Sequence, residues 1–280
     1  MVTADQTREQ IAVQRATGAM QSQALSLLLT GKRAEDSLAV EQFRAFADQN
    51  KLSLDHTWVA LQFGRPVASS LIVPSDGRTA MLFLSPVTDP DIVPVAARLA
   101  QTASNEQCRN QTNLIQALLD PNQTAEYDAL IQAGYTHLAK LVYMERSVRE
   151  PFKSLDLDPE LTVHHYSART RRHFAATILA SYRDTQDCPG LLGLRSIDDI
   201  IAGHLATGVF EPHLWFAVTH GDEPVGVMLL NKVPQRRALE LVYLGLNPAW
   251  RGKGIAWRLV EHGVALVAKQ RLSTMILAVD

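Results

Sequence analysis

A diverged internal repeat constrains this chain more than any other feature. Around Trp58 the sequence reads W-V-A-L-Q-F-G-R-P-V-A, and around Trp215 it reads W-F-A-V-T-H-G-D-E-P-V-G. Trp58, Ala60, Gly64, Pro66 and Val67 match Trp215, Ala217, Gly221, Pro224 and Val225, with one residue inserted in the second copy. The tryptophans stand 157 positions apart in a chain of 280 residues, so the repeat is a domain rather than a solenoid unit. Both copies read alike physically. A Trp-led apolar run is a strand, a Gly-to-Pro segment is turn chemistry, and a second apolar run follows at 67–73 and 225–230. A third run, 80–84 or 239–246, ends at Pro86 or Pro248. A helical segment and a last apolar strand, 113–120 or 273–280, complete each copy.

The expected fold is therefore two tandem domains of α/β (α+β) class. The first spans 1–150, and the Pro- and Asp-bearing stretch 151–160 is the linker. The second spans 161–280. Within the first domain the chain runs on past Asp120 through a helix at 125–133 and a strand at 138–149. In the second, 168–182 has helical spacing. A further helix starts at Ser196, with Asp199 three residues on in capping-box fashion.

Hydrophobic residues make up 46% of the chain and charged ones 20%, which is the composition of a packed globular protein. Lys+Arg number 27 against 29 Asp+Glu, a net charge of −2, which argues against a chain that grips nucleic acid through its phosphates. No apolar run approaches the ~20 residues of a membrane span. The N-terminus MVTADQTREQ lacks the basic start and apolar run of a signal peptide. The default compartment is the cytoplasm. Cys108 and Cys188 form neither a disulfide framework nor a zinc site, so no metal is implied, and each is expected as a small buried side chain.

The run 239–270 is the most informative part of the chain. A strand and Pro248 lead into Arg251-Gly252-Lys253-Gly254-Ile255-Ala256. A helix follows with apolar residues at 255/256, 259/260, 263/264 and 266/267. The first amides of a helix lack internal partners and the macrodipole adds positive charge there, so this turn is an anion site. Gly252 and Gly254 let the backbone approach a pyrophosphate, and Arg251 and Lys253 add charge at the rim. The pattern is neither G-x-G-x-x-G nor G-x-x-x-x-G-K-[ST].

The motif Arg251-x-x-Gly254-x-Ala256, after a strand ending Leu244-Gly245-Leu246, resembles the acetyl-CoA signature of GNAT-type N-acetyltransferases. The resemblance covers about 161–280, and more weakly 56–148. It implies tandem GNAT-like domains, each a mixed, largely antiparallel sheet flanked by helices, in the arrangement of mycothiol synthase-like enzymes. By that resemblance the backbone of Leu244, Gly245 and Leu246 pairs with the pantetheine arm. The amides of Arg251, Gly252, Lys253, Gly254, Ile255, Ala256 and Trp257 hold the pyrophosphate of acetyl-CoA. Trp250 and Trp257 bracket the loop and are expected mainly in core packing.

The resemblance breaks in two places. After the strand 80–84 the first half reads S-P-V-T-D-P-D, with no glycine pair and with Asp89 and Asp91 where a pyrophosphate would sit. The first half is thus expected to keep the fold without the cofactor loop. The second half stops at Asp280, the counterpart of Asp120, and is expected to lack the usual C-terminal helix and strands. An edge open after 273–280 invites pairing, with a second copy of the chain among the candidates.

The expected activity is acetyl-CoA-dependent N-acetyl transfer to a primary amine of a small molecule or peptide. An alkylamine is mostly protonated at neutral pH, so a general base is useful. Glu240, on the cofactor strand, is the first candidate base. Tyr243 is the candidate for lining the acceptor pocket or donating a proton. His204 and His213 are read as structural, and no partner is identified for His164 and His165. The competing reading is a catalytically silent acyl-CoA-binding or scaffolding protein, which thioester consumption with an amine panel would separate from the enzyme.

Overall fold

A computed structural model of the chain describes residues 11–32, 37–148 and 157–280. Two compact units divide it, Met1–His137 and Leu138–Asp280. The first contains β1 (Ile11–Arg15), α1 (Ala19–Thr30), α2 (Ser37–Gln49), β2 (Thr57–Gln62), β3 (Arg65–Ser75), β4 (Thr79–Leu84), α3 (Val93–Arg109), β5 (Leu114–Gln116) and α4 (Thr124–Gln132). Its sheet runs β1-β2-β3-β4-β5 and is antiparallel except for the parallel pair β4–β5.

The second unit contains β6 (Val142–Ser147), β7 (Leu161–His165), α5 (Arg171–Ser181), α6 (Ile197–Ala206), β8 (Trp215–His220), β9 (Glu223–Val233), β10 (Ala238–Leu246), α7 (Ile255–Lys269) and β11 (Thr274–Val279). Its sheet runs β6-β11-β10-β9-β8-β7, and only β10–β11 is parallel. The element order from β1 to β5 recurs from β7 to β11, which is the duplication visible in the sequence.

The two hairpins share even their irregularity. Ala60 pairs with Ala68 and Leu61 with Pro66, which leaves Val67 as a bulge. Val218 pairs with Gly226 and Thr219 with Pro224, which leaves Val225 in the same place. The registers also correct the sequence match upstream of the turn. Trp58 corresponds in space to Phe216, and Trp215 corresponds to Thr57. One residue of slip moves a strand side chain to the opposite face. Trp58 accordingly packs with Ile72 and Leu99, whereas Trp215 packs with Phe174 and Ile178 on the other side of its sheet.

Both faces of the second sheet are covered, which is why β8 and β9 read as continuous apolar runs. Phe216, Met228 and Leu230 pack on Leu259 and Val267 of α7. Trp215, Val227 and Leu229 pack on Phe174, Ile178 and Ile201 of α5 and α6. Ser196 caps α6 as the sequence predicts, accepting from Asp199 N at 3.1 Å. Asn231, fully buried, fixes the C-terminal end of that helix. Its Oδ1 accepts from Trp215 Nε1 at 2.8 Å, and its Nδ2 donates to His204 O at 2.8 Å and Thr207 O at 2.5 Å.

Several expectations are corrected. The strand expected at 138–149 in the first half is β6, and it belongs to the second sheet. There it runs antiparallel to β11 from Ser147↔Thr274 to Val142↔Val279. The edge expected to stay open along 273–280 is therefore paired, which removes a row of free amides and carbonyls. The unit boundary lies at His137/Leu138 rather than 151–160, and 149–156 falls outside the described residues. The strand expected at 113–120 is only Leu114–Gln116. Cys108 is exposed and Cys188 half-buried, since both sit at element ends rather than on core faces. Among the described residues no helix is long and apolar enough to cross a membrane.

Replacing Asn231 by Leu keeps the volume but removes the side-chain partners of the Trp215 indole N–H and the Thr207 carbonyl, and one of the two donors to His204 O. We expect a loss of stability on the order of 3 kcal/mol, read from urea unfolding of the full chain.

Candidate active site

The cleft is made by a single irregularity in β10. Leu241 pairs with Leu230 and Tyr243 pairs with Leu229, so Val242 is an extra residue on that strand. Leu239 and Leu241 before the bulge, and Leu244 and Leu246 after it, pack toward α7. Glu240, Val242, Tyr243 and Gly245 consequently share the face toward α5 and α6. The pairing of β10 with β11 covers only Ala238–Leu241 against Thr274–Leu277. Beyond the bulge β10 keeps β9 on one side, through Leu246↔Gly226, and among the described residues has no strand on the other. The edge from Tyr243 to Leu246 is open to an added strand, with Arg251 reaching Leu246 O at its end.

That edge leads to the glycine loop and the start of α7. Gly252 and Gly254 stand at φ 73° and 77°, in the left-handed region that favours glycine. No atom lies within 4 Å of a Cβ placed on either. Gly254 is the N-cap of α7 and no side chain caps the helix. The first helical bond is Arg258 N to Gly254 O at 3.2 Å, so the amides of Ile255, Ala256 and Trp257 have no partner within the helix. These amides and the dipole behind them form an anion site.

Arg251 has a different place from the rim charge the sequence suggests. Its guanidinium donates to Leu246 O at 3.2 Å, Asp184 O at 2.9 Å, Ser181 O at 3.0 Å and Arg183 O at 2.7 Å. It ties the exit of α5 to the end of β10. Buried Asn247 reinforces the tie, accepting from Arg183 at 3.0 Å and donating to Pro224 O at 2.8 Å. Lys253 lies over the Trp250 ring at 4.4 Å, and Trp250 Nε1 donates to Glu223 at 3.0 Å. Trp257 is 64% exposed rather than packed in the core, because position 257 falls on the outer face of α7.

On the α5/α6 side, Tyr243 is held by its hydroxyl at 2.8 Å from Ser181 Oγ. Burial pushes the Tyr243 phenol well above its ordinary value. A Cβ on Gly245 would lie 2.5 Å from Ser181 Oγ and 2.9 Å from the Tyr243 hydroxyl, so only glycine fits beneath them. Tyr182 meets Tyr243 edge-on at 6.0 Å and His204 covers it at 5.5 Å. His204 Nε2 is shielded from solvent and has no hydrogen-bond partner. Burial, helped by the Arg195 charge, pushes this imidazole down to about 4, so it is neutral at physiological pH. Glu240 is half-buried and makes no hydrogen bond or ion pair among the described residues. Burial raises its carboxyl above the ordinary range, with Arg236 opposing.

The first half holds the same elements without the bulge and without the glycine loop. The pairing of β3 with β4 is regular from Ser70↔Leu84 to Ser75↔Thr79, without a bulge. Tracing register through both hairpins, Met81 stands where Glu240 is, Phe83 where Tyr243 is and Ser85 where Gly245 is. Its amides carry their own acids: Asp91 N donates to Asp89 at 3.0 Å, and Val87 N donates to buried Glu126 at 2.7 Å. The sequence reading of Asp89 as hostile to a pyrophosphate is thereby given its geometry. An apolar cavity of about 420 Å³, lined by Leu28, Phe43, Leu71, Leu82 and Leu84 among others, lies beside β4.

The remaining histidines have structural partners. His164 Nε2 sits 3.0 Å from Thr219 Oγ1 and stacks on His173 at 4.2 Å, and His165 abuts Phe216. His213 contacts Gln270 at 3.0 Å and Glu211 at 3.4 Å. Ser181, Asn247 and Arg195 were not singled out from the sequence. They lie on or beside irregular segments, where no periodicity marks them.

The fold and cleft define a class, the mixed-sheet α/β domain whose central parallel pair splays open beside a helix N-terminus. The profile of the acetyltransferase (GNAT) family matches residues 194–280, which contain that splayed pair, the loop and α7. No curated protein matches the chain. Among solved structures, a GCN5-related N-acetyltransferase from Sphaerobacter thermophilus superposes with a TM-score of 0.59 at 14% identity, over 97% of this chain and 87% of that one. A GCN5-related glucosamine N-acetyltransferase region of a fungal multi-domain GH3 beta-N-acetylglucosaminidase gives 0.53 at 14%, over 95% of this chain and 35% of that one. At such identity the likeness is one of fold. Residues 194–280 thus match the GNAT acetyltransferase family, and the chain as a whole shares the fold of GCN5-related N-acetyltransferases.

Replacing Arg251 by Gln separates a clamp from a phosphate ligand. We expect faster hydrogen exchange at 181–184 and at 246, with acetyl-CoA affinity falling less than for a substitution at Gly254.

Proposed function

We propose that the second unit is an acetyl-CoA-dependent N-acetyltransferase acting on a primary amine of a small molecule or peptide. The observation that carries this reading is the open edge Tyr243–Leu246, continuous with the unpartnered amides at the start of α7. An extended amide-bearing arm can pair with Leu244, Gly245 and Leu246 as an added strand does. A pyrophosphate at its far end then meets the amides from Gly252 to Trp257. The two free cysteines agree with a reducing, cytoplasmic setting.

In this reading Glu240 accepts the proton that the ammonium must lose before its nitrogen can attack the thioester carbonyl. Its lack of an ion-pair partner and its raised affinity for protons suit that role. An amide of the open β10 edge polarises the carbonyl. As the C–N bond forms and the C–S bond breaks, the Tyr243 hydroxyl supplies a proton to the departing sulfur. The first unit, which has Asp89 and Asp91 where the second has its glycine loop, takes no part in the chemistry in this reading.

Calorimetry with acetyl-CoA tests the binding claim, and no heat at millimolar cofactor would sink it. Gly254→Asp forces an L-residue into the left-handed region and adds an acid beside the anion site. We expect at least a tenfold loss of acetyl-CoA affinity, and an unchanged affinity would count against the cradle. The pH dependence tests the base. Glu240 works only when ionised, so kcat/KM should fall as pH drops through its raised value, above the usual carboxylate range. Glu240→Gln should lower kcat by roughly 10²-fold or more and flatten that acidic limb; a surviving limb would assign it to another group.

A further inference from the structure

Two polar groups above β10 have nothing to bind. His204 Nε2 is buried against Tyr243 without a partner. Arg195, half-buried just before the cap of α6, makes no hydrogen bond or ion pair among the described residues. Its charge reaches both Tyr182 and His204, the two rings that wall Tyr243. The other charges nearby are engaged. Arg251 holds four backbone carbonyls and Arg183 holds Asn247. Arg236 pairs with Glu145 at 2.9 Å. Asp187 lies with Cys188 and Asp280, where burial and the Asp280 charge raise its carboxyl above the ordinary range, and no ion pair joins it to Arg195. The buried imidazole nitrogen is costly to leave without a partner, and the guanidinium beside it is a charge that nothing among the described residues pairs.

We infer that the acceptor carries a carboxylate beside its amine, as an amino acid does, and that Arg195 and His204 receive it. This rests on the acetyltransferase reading only for calling the ligand an acceptor. The guanidinium fork matches a carboxylate in shape and charge. The neutral imidazole adds an Nε2–H donor in the appropriate tautomer. A carboxylate held there leaves the adjacent amine over Tyr243, on the face that carries Glu240. Acceptors without the carboxylate leave both protein groups unpaired, which is a strong means of rejection.

The test uses product-like ligands, so it does not depend on turnover. N-acetyl derivatives of alanine, phenylalanine, glutamate and lysine, each as free acid and as primary amide, are titrated by calorimetry into the full chain. We expect at least one acid to bind roughly tenfold more tightly than its amide. Arg195→Gln should abolish that preference with acetyl-CoA affinity unchanged. At His204 the variants separate binding from packing. Phe preserves the ring against Tyr243 but cannot hydrogen-bond, so it should weaken the acid at least threefold. Gln keeps a donor and should restore most of the affinity; a packing role would reverse that order. No preference for any acid, or a preference that survives Arg195→Gln, would overturn the inference. An acid preference without acetyl-CoA binding would leave the carboxylate site standing and remove the acetyltransferase reading.

Discussion

The second unit depends on the extra residue at Val242. Without it, β10 would alternate regularly and residues 243 and 245 would face α7 with the aliphatic core. With it, Tyr243 and Gly245 turn to the α5/α6 side and join Glu240 there. The bulge also marks where β10 and β11 part, since their pairing stops at Leu241 and Leu277. One inserted residue therefore creates both the open backbone edge and the set of side chains that looks onto it. A regular strand in the same place would present neither.

A splayed pair is exposed to collapse, and Arg251 opposes that. Five N–H donors on a planar group suit the several carbonyls left over where α5 ends and β10 finishes. The signature arginine acts first as a structural brace that keeps the loop 181–184 and the strand end at a fixed separation. Gly245 completes the arrangement by letting Ser181 and Tyr243 close over the strand.

The two halves differ in a few places of the duplication. The hairpin bulges at Val67 and Val225 are shared, so they belong to the fold. The bulge at Val242 occurs in the second half alone, together with Glu240, Tyr243 and Gly245 in place of Met81, Phe83 and Ser85. The first half differs on each count: β4 is regular, Met81 and Phe83 are apolar, and Asp91 N and Val87 N donate to carboxylates of the same unit. Glu126, a buried carboxylate, accepts from Val87 N and ties the segment after β4 to α4.

What could be read in the sequence follows from the range of the interactions involved. The hairpins, the capped helix at Ser196 and the glycine loop were legible because each is set by residues within about ten positions of one another. The correspondence of Trp58 with Trp215 misled because residue identity says nothing of strand register: both hairpins turn through two residues, Phe63-Gly64 and Gly221-Asp222, so the structure holds no inserted residue and Trp215 falls one place off the match. The placement of Val142–Ser147 beside β11 escaped because it pairs segments about 130 positions apart, with no local pattern to announce it. The role of Arg251 escaped for the related reason that its partners are backbone carbonyls, which carry no residue identity at all. Arg195 and His204 are the sharper case. Nothing among the described residues satisfies the His204 nitrogen or pairs the Arg195 charge, and their place beside the rings that wall Tyr243 makes that deficit informative. The groups a fold leaves unpaired at a cleft are those it has reserved for what enters it.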